Sequence, residues 1–423
     1  MGTFDPNVVN PHYLQNVMDL AKTHEVVASD DIYDARGAKL LAKGTRITDS
    51  VQERLIRFKL NKPLESSLSV EGGMSPQLLL AEAQIVLDEV LPLSSLMKGG
   101  ASGKAVLAVL KEVRFIKAIT LLLSMDHTGT GASFRHAVLA GITSVTLGIR
   151  LNLDSASLLN LALAALLHDA GELYINPAFR TPGRQLTPAE WKNIAAHPRI
   201  GQLVLEGMPD IPRAVSIAIG EHHERPNGFG YPRQLTADGI SKLGRILLMT
   251  ELLCGIFPQK DRPMERACLA VKVIPSEYPA EIVSLIASSI SGVAAPLVAD
   301  ASVQQAFLDR AKRIEPRMNA ALAQMATPLP GVKVSSPVGV LLTQARDRLL
   351  MLQRAMHSTG LSGCGDLVMA DAMNLGDILL EMDTVSYEIE WRLRELSRQT
   401  ALNMMTLEEG QREYFEKLIA CLV

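Results

Sequence analysis

The run from Leu158 to Leu167 is almost unbroken Leu and Ala, and it stops abruptly at His168 and Asp169. It is well short of the ~20 apolar residues that a membrane span needs, so it has to be buried against other apolar segments. A histidine at its end must then find a partner, because an unpaired buried polar group costs roughly 2 kcal/mol or more. Aromatic residues are only 4% of the chain while Leu, Ala and Met abound, which favours helices packed on aliphatic seams. Hydrophobic residues make up 48% and charged residues 21%, enough for a large core and against disorder.

At 423 residues the chain exceeds one ordinary domain, and two or three are expected. Residues 1–68 read as a small α+β module: Val26 to Tyr33 extended, Asp34 to Gly37 a turn, Lys39 to Leu41 a returning strand. A helix then starts near Thr48 to Ser50 and carries Val51, Leu55, Ile56 and Phe58. Such a module is too small for a catalytic core and suits sensing or docking. Residues 69–103 read as a helical linker with glycine joints, and 104–292 as one helical domain with polar turns at 126–133, 176–188, 225–239 and 256–263. Residues 293–423 are helical again, broken near Pro328, Pro330 and Pro337 and at Gly360, Gly363 and Gly365. There Leu375, Ile378, Leu379 and Met382 are spaced to share one face, and nothing suggests chemistry, so packing, self-association or a protein partner is expected.

The formal net charge of −3 and the lack of a long basic run exclude extended nucleic acid as a partner but leave room for a small anion at a local cationic site. Cys254, Cys268, Cys364 and Cys421 form no CxxC pair and read as small buried hydrophobes. Neither a signal peptide nor a membrane-spanning run is visible, so a cytoplasmic location away from membranes is expected.

Five of the nine histidines, His136, His168, His197, His222 and His223, fall within one stretch, each in or at the end of an apolar helical segment. Asp169 follows His168 directly. Neighbours on a final helical turn point about 100 degrees apart, so both reach one site only if that site lies between two metals or at the helix edge. A carboxylate bridging two ions fits. Nitrogen and carboxylate ligands without thiolates suit iron, manganese, zinc, cobalt or nickel. With this many ligands two ions are more economical than one, and a pair ~3.5 to 4 Å apart can activate water and neutralise a phosphoryl group. The loop from Glu224 to Arg233 then places two glycines, two prolines, Phe229, Tyr231, Arg225 and Arg233 in one compact path. Such a loop offers aromatic stacking for a base and positive charge for phosphates.

The string His168-Asp169-Ala170-Gly171, then His197-Pro198 with Gly201, then His222-His223-Glu224 leading into Gly228-Phe229-Gly230-Tyr231-Pro232, resembles the HD-GYP family of HD phosphohydrolases over roughly residues 104–292. The resemblance implies that the central domain is all-helical and of HD type; with the flanking segments read above, the expectation is a mainly α protein with a small N-terminal α+β module and a helical C-terminal region. It also implies two divalent ions, iron or manganese first and zinc, cobalt or nickel as alternatives. Their ligands would be His136, His168, Asp169, His197, His222, His223 and Glu251, with His168 and Asp169 as the catalytic doublet. Arg262 and Pro263 resemble a pair that follows in the family. Glu172 stands where the family usually has lysine, Asn227 and Cys254 where aspartates are common, and Glu251 is one methylene longer than the usual aspartate. Ala132 lacks the glutamate of three-metal members, so two metals are expected.

The activity this implies is hydrolysis of cyclic di-GMP to pGpG, and further to GMP in some members, by a metal-bridging hydroxide. Arg225, Tyr231, Arg233 and Arg245 are the candidate substrate contacts. Glu172 and Asn227 motivate two alternatives: a cyclic di-GMP-responsive binding module with little or no turnover, and an HD phosphohydrolase acting on another nucleotide phosphodiester.

Overall fold

The computed structural model describes residues 4–422 except 129–131, 182, 260, 291–300, 328, 330, 360, 362–375 and 405–406. The expectations for Pro328, Pro330, Gly360, Gly363, Cys364, Gly365 and Leu375 therefore lie outside the described residues. The described residues are mainly helical, with four short strands near the N-terminus. It divides into two compact units, one of 1–185, 193–264 and 277–290, the other of 186–192, 265–276 and 291–423. No helix among the described residues is long and apolar enough to cross a membrane.

In the first unit, Asn10 caps helix Pro11–Ala21 by accepting from the N–H groups of His12 and Tyr13 at 2.9 and 3.1 Å. Strand Ile32–Tyr33 pairs with Lys39–Leu41 as the turn at Asp34 predicts. Strand Glu25–Ala28 pairs antiparallel with Leu68–Glu71, a strand where the sequence reads as the start of a joint. Those four residues are too few to show a period-2 pattern, and their partner is remote in sequence. Helix Asp49–Arg57 buries Val51 and Leu55, whereas Ile56 and Phe58 are exposed. The expected turn at 126–133 begins late, since helix Lys117–Thr128 continues through Asp126.

Helix Ala132–Arg150 buries Val138, Ile142, Val145 and Leu147 completely. It packs against Ser155–Leu167 and Lys242–Ile256, the helices that precede Asp169 and carry Glu251. Two buried hydroxyls join the helices here: Ser144 and Thr250 bond each other at 2.8 Å, and Thr250 donates to the Ile246 carbonyl at 3.0 Å. That contact fixes the register of the helix bearing His136 against the helix bearing Glu251. The N-terminal helix reaches this frame as well, because Asn10 and Asn16 donate to the carbonyls of Tyr174 and Leu173 at 3.1 and 2.8 Å.

The second unit is built on helices Ala301–Ala326, Pro337–Ser358, Gly376–Met404 and Glu409–Leu422. Its core includes Met318, Leu349, Leu352, Ile389, Leu393 and Phe415. Of the expected face, Leu379 is buried and Met382 partly so, but Ile378 is exposed. The buried stripe of that helix instead runs through Leu379, Val385, Ile389, Leu393 and Leu396. Cys254 and Cys268 are buried free thiols, as expected, while Cys421 is only partly covered.

Candidate metal centre

Three histidines are presented by the same local device. His168 follows helix Ser155–Leu167, His197 follows Pro188–Ile194, and His222 comes shortly after Arg213–Ile219. Each ring turns back so that Nδ1 meets the carbonyl three residues earlier, at 2.7 Å for Ala165, 2.8 Å for Ile194 and 2.6 Å for Ile219. A carbonyl only accepts, so Nδ1 carries the proton, and in the neutral ring Nε2 is a bare lone pair. The carbonyls are the unsatisfied groups at a helix end, whose partial negative charge makes the imidazoles better ligands.

The lone pairs converge. His197 Nε2 and His222 Nε2 are 3.0 Å apart, and His136 Nε2 and His168 Nε2 are 3.1 Å apart. Two lone pairs at that distance repel, whereas two nitrogens bound at 2.1 Å to one ion at a right angle stand about 3.0 Å apart. Asp169 faces both pairs. Its Oδ2 lies 3.2 Å from His168 Nε2 and 3.6 Å from His136 Nε2, and its Oδ1 lies 3.4 and 3.6 Å from His197 and His222 Nε2. Glu251 Oε2 is 3.4 Å from both His136 and His168 Nε2 and is buried without a hydrogen bond of proper geometry. His223 completes the second group, with ligand atoms of His197, His222 and His223 all within 4.8 Å of one another. The donor set therefore fits two cations sharing the Asp169 carboxylate. The extra methylene of Glu251 does not keep it from the cluster.

Electrostatics point the same way. Burial opposes ionisation of Asp169 and Glu251, but the surrounding histidines outweigh it and hold both carboxyls well below their usual range. Burial also opposes charge on His136, His168 and His197, yet the carboxylates win and raise all three, His168 most strongly. Burial lowers His222 and, more strongly, His223. The carboxylates thus demand positive charge, which either protons on Nε2 or metal ions on the same lone pairs supply.

Gly171 explains the close packing. A Cβ there would lie 2.0 Å from the His197 carbonyl oxygen, so only glycine lets the segment after Asp169 sit against helix His197–Glu206. Glu172 also stands at the cluster, its ligand atom within 4.8 Å of those of Asp169 and His197. Arg180 Nη1 donates to Glu172 Oε2 at 2.5 Å and offsets the negative charge that the sequence introduces there. Sequence reasoning missed Arg180 and also Asp126, whose carboxyl is pushed up to about 7 by burial and by the Asp169 and Glu172 carboxylates. The signal for Asp126 was present, a lone acid closing the apolar helix from Lys117.

The loop after the paired histidines is tied down by Glu224. That fully buried carboxylate accepts from the N–H groups of Arg233 and Leu235 at 2.7 and 2.8 Å. Gly230 passes so close that a Cβ would meet the Arg225 nitrogen at 2.3 Å. Asn227 accepts from the Phe229 N–H at 3.2 Å, a local turn that needs no charge. Of the four proposed substrate contacts, Tyr231 is beside the cluster, its ring stacked on His223 at 4.6 Å. The arginines brace the loop. Arg225 lies over the Tyr278 ring at 4.7 Å, Arg233 pairs with Glu221 at 3.5 Å, and Arg245 donates to the carbonyls of Ile240 and Ala237 at 3.2 and 2.5 Å.

A helical domain that gathers histidines and carboxylates around one bridging aspartate defines a metal-binding class of protein. Residues 125–254 match the family described as HD domain, and this segment belongs to the HD phosphohydrolase/HD-GYP superfamily. The chain is 31% identical to a 3'3'-cGAMP-specific phosphodiesterase of Vibrio cholerae, over 28% of this chain and 25% of that one. It is 29% identical to a cyclic di-GMP phosphodiesterase of Pseudomonas aeruginosa, over 34% of each chain. A cyclic di-GMP phosphodiesterase response regulator of Xanthomonas campestris is 32% identical over 33% of this chain and 36% of its own. The match thus spans between a quarter and about a third of the length of these relatives.

Proposed function

We propose that the protein is a metal-dependent phosphodiesterase that hydrolyses cyclic di-GMP to pGpG, and onward cleavage to GMP is part of the same reading. The observation that carries it is Asp169, whose two oxygens each face a different histidine pair. In this reading His136, His168, Glu251 and Asp169 would hold one divalent ion and His197, His222, His223 and Asp169 the other, iron or manganese being preferred. Bound there, the pair would supply Lewis acidity and a water acidic enough to act at neutral pH. The Nδ1–H bonds to helix-end carbonyls keep Nε2 free and aimed inward, and Asp169 keeps the two groups in fixed register. Tyr231 offers a stacking surface beside His223, and Arg225, Arg233 and Arg245 hold the loop that presents it. Residues 1–68 serve as a sensory or docking module joined by the linker 69–103, and 293–423 as a packing or partner-binding region of a cytoplasmic protein.

A second reading, binding with little turnover, is favoured by Glu172, which places a carboxylate rather than a cation beside Asp169. Anaerobic loading with iron or manganese, followed by chromatography of cyclic di-GMP reactions, separates the two. Accumulating pGpG supports the first reading. Tight binding of intact nucleotide with no product replaces it with the second, and turnover of other phosphodiesters alone points to a different substrate.

A further inference from the structure

Helix Pro76–Glu89 and the turn after it lie outside the matched segment 125–254, yet they form one wall of a cavity of about 580 Å³. His136 also lines it, so the cavity reaches the candidate metal centre. Its volume is in the range of sites that enclose a drug-sized ligand. The walls include Val86, Val90, Leu139 and Phe257, a lining that suits a flat heterocycle better than a sugar or a phosphate. Two charged side chains interrupt it, Glu89 and Arg135, and they bond each other. Arg135 is held from its other side by Glu82 at 3.1 Å and is the chain neighbour of His136. Glu89 is consequently oriented by a guanidinium that is itself fixed, while 61% of its side chain stays accessible.

We infer that this cavity receives the guanine base of a nucleotide whose phosphate lies at the histidine cluster, and that Glu89 reads the guanine edge. An ionised carboxylate only accepts hydrogen bonds. Guanine presents two adjacent donors, N1–H and the N2 amino group, to such an acceptor. Adenine places a bare N1 there, which a carboxylate repels, and hypoxanthine keeps N1–H but lacks the amino group. One bidentate contact of this kind is worth roughly five- to 150-fold in discrimination. Arg135 fixes the carboxylate without using up its lone pairs, so Glu89 sets specificity from a helix outside the family segment. The inference rests on the phosphodiesterase reading for the phosphate end only, and base recognition is testable without turnover.

Isothermal titration of the metal-loaded full chain with 5'-GMP, 5'-IMP and 5'-AMP tests it. The wild type should bind GMP at least about fivefold more tightly than IMP and AMP. In Glu89→Gln the preference of GMP over IMP should vanish, with metal content and circular dichroism unchanged. Equal affinities for GMP and IMP in the wild type overturn the inference without any variant. So does a preference that survives in Glu89→Gln, or an absence of GMP binding at millimolar concentration. Hydrolysis of bis(p-nitrophenyl) phosphate by the wild type is measured in parallel. Its absence counts against the phosphodiesterase reading alone, since the GMP and IMP comparison does not depend on it.

Discussion

Replacing Glu65 by Gln should stabilise the protein above neutral pH and leave its stability almost unchanged in mild acid. Glu65 is 3% exposed; its Oε1 accepts from the Tyr174 hydroxyl, and its Oε2 has no hydrogen bond. Tyr174 is in turn stacked on Tyr13 at 4.7 Å. No Lys or Arg pairs with Glu65 among the described residues, and burial raises its carboxyl from 4.5 to about 7. The folded state therefore keeps a proton that the unfolded chain has already released. Stability from this group is greatest below the unfolded value, falls as pH rises across that window, and is fully lost above the folded value. At 1.36 kcal/mol per pH unit the loss is about 3 kcal/mol. Gln is neutral at every pH and retains the acceptor for Tyr174, so it mimics the protonated state. Urea unfolding followed by far-UV circular dichroism should give nearly equal stabilities at pH 4. At pH 8.5 the midpoint of Glu65→Gln should be higher by about 1 M or more. A difference between variant and wild type that is the same at both pH values would refute the assignment of a neutral buried carboxyl.

Gly171→Ala forces a Cβ to within 2.0 Å of the His197 carbonyl oxygen. It should cost about 2 kcal/mol in thermal unfolding and lower the metal bound per chain, both measurable on one preparation; unchanged metal content would show that the close approach does not position His197. In the second unit, Arg392 is 1% exposed and donates to Glu388 Oε2 at 2.6 Å and to the Ala270 carbonyl at 3.3 Å. Arg392→Ala should cost about 3 to 5 kcal/mol by stranding Glu388, and Arg392→Met with Glu388→Leu much less. Fluorescence reports on this directly, because Trp191 and Trp391 both belong to that unit.

The candidate centre was legible because each of its groups is a polar residue set against apolar sequence, where it cannot stay unpaired. His168 after Leu158 to Leu167 is the plainest case, and Asp126 near the end of its own apolar helix is the same signal left unread. The braces were not legible, for a different reason. Arg245 is satisfied by the carbonyls of Ala237 and Ile240, and Glu224 by the N–H groups of Arg233 and Leu235. Backbone partners leave no mark in side-chain identity, so an arginine that holds a loop looks the same in sequence as one that holds a phosphate. The pairing of Glu25–Ala28 with Leu68–Glu71 escaped similarly, since short strands show too little alternation.

What the structure adds to the histidines is which ring nitrogen meets a backbone acceptor. His168, His197 and His222 all stand within three residues after a helical stretch, and each gives Nδ1–H to the carbonyl three positions back. That spacing is a sequence property, and it decides which nitrogen faces inward before any ligand arrives. A histidine in mid-helix meets carbonyls already bonded to the next turn and has no such constraint. His136 is in that position, within helix Ala132–Arg150, and it is also the member of the cluster whose orientation depends on carboxylates, with Glu251 Oε2 at 3.4 Å and Asp169 Oδ2 at 3.6 Å. The group formed by His136, His168 and Glu251 therefore rests on one backbone-locked imidazole. The other rests on two, His197 and His222, so the His197 side is the more preorganised half of the centre.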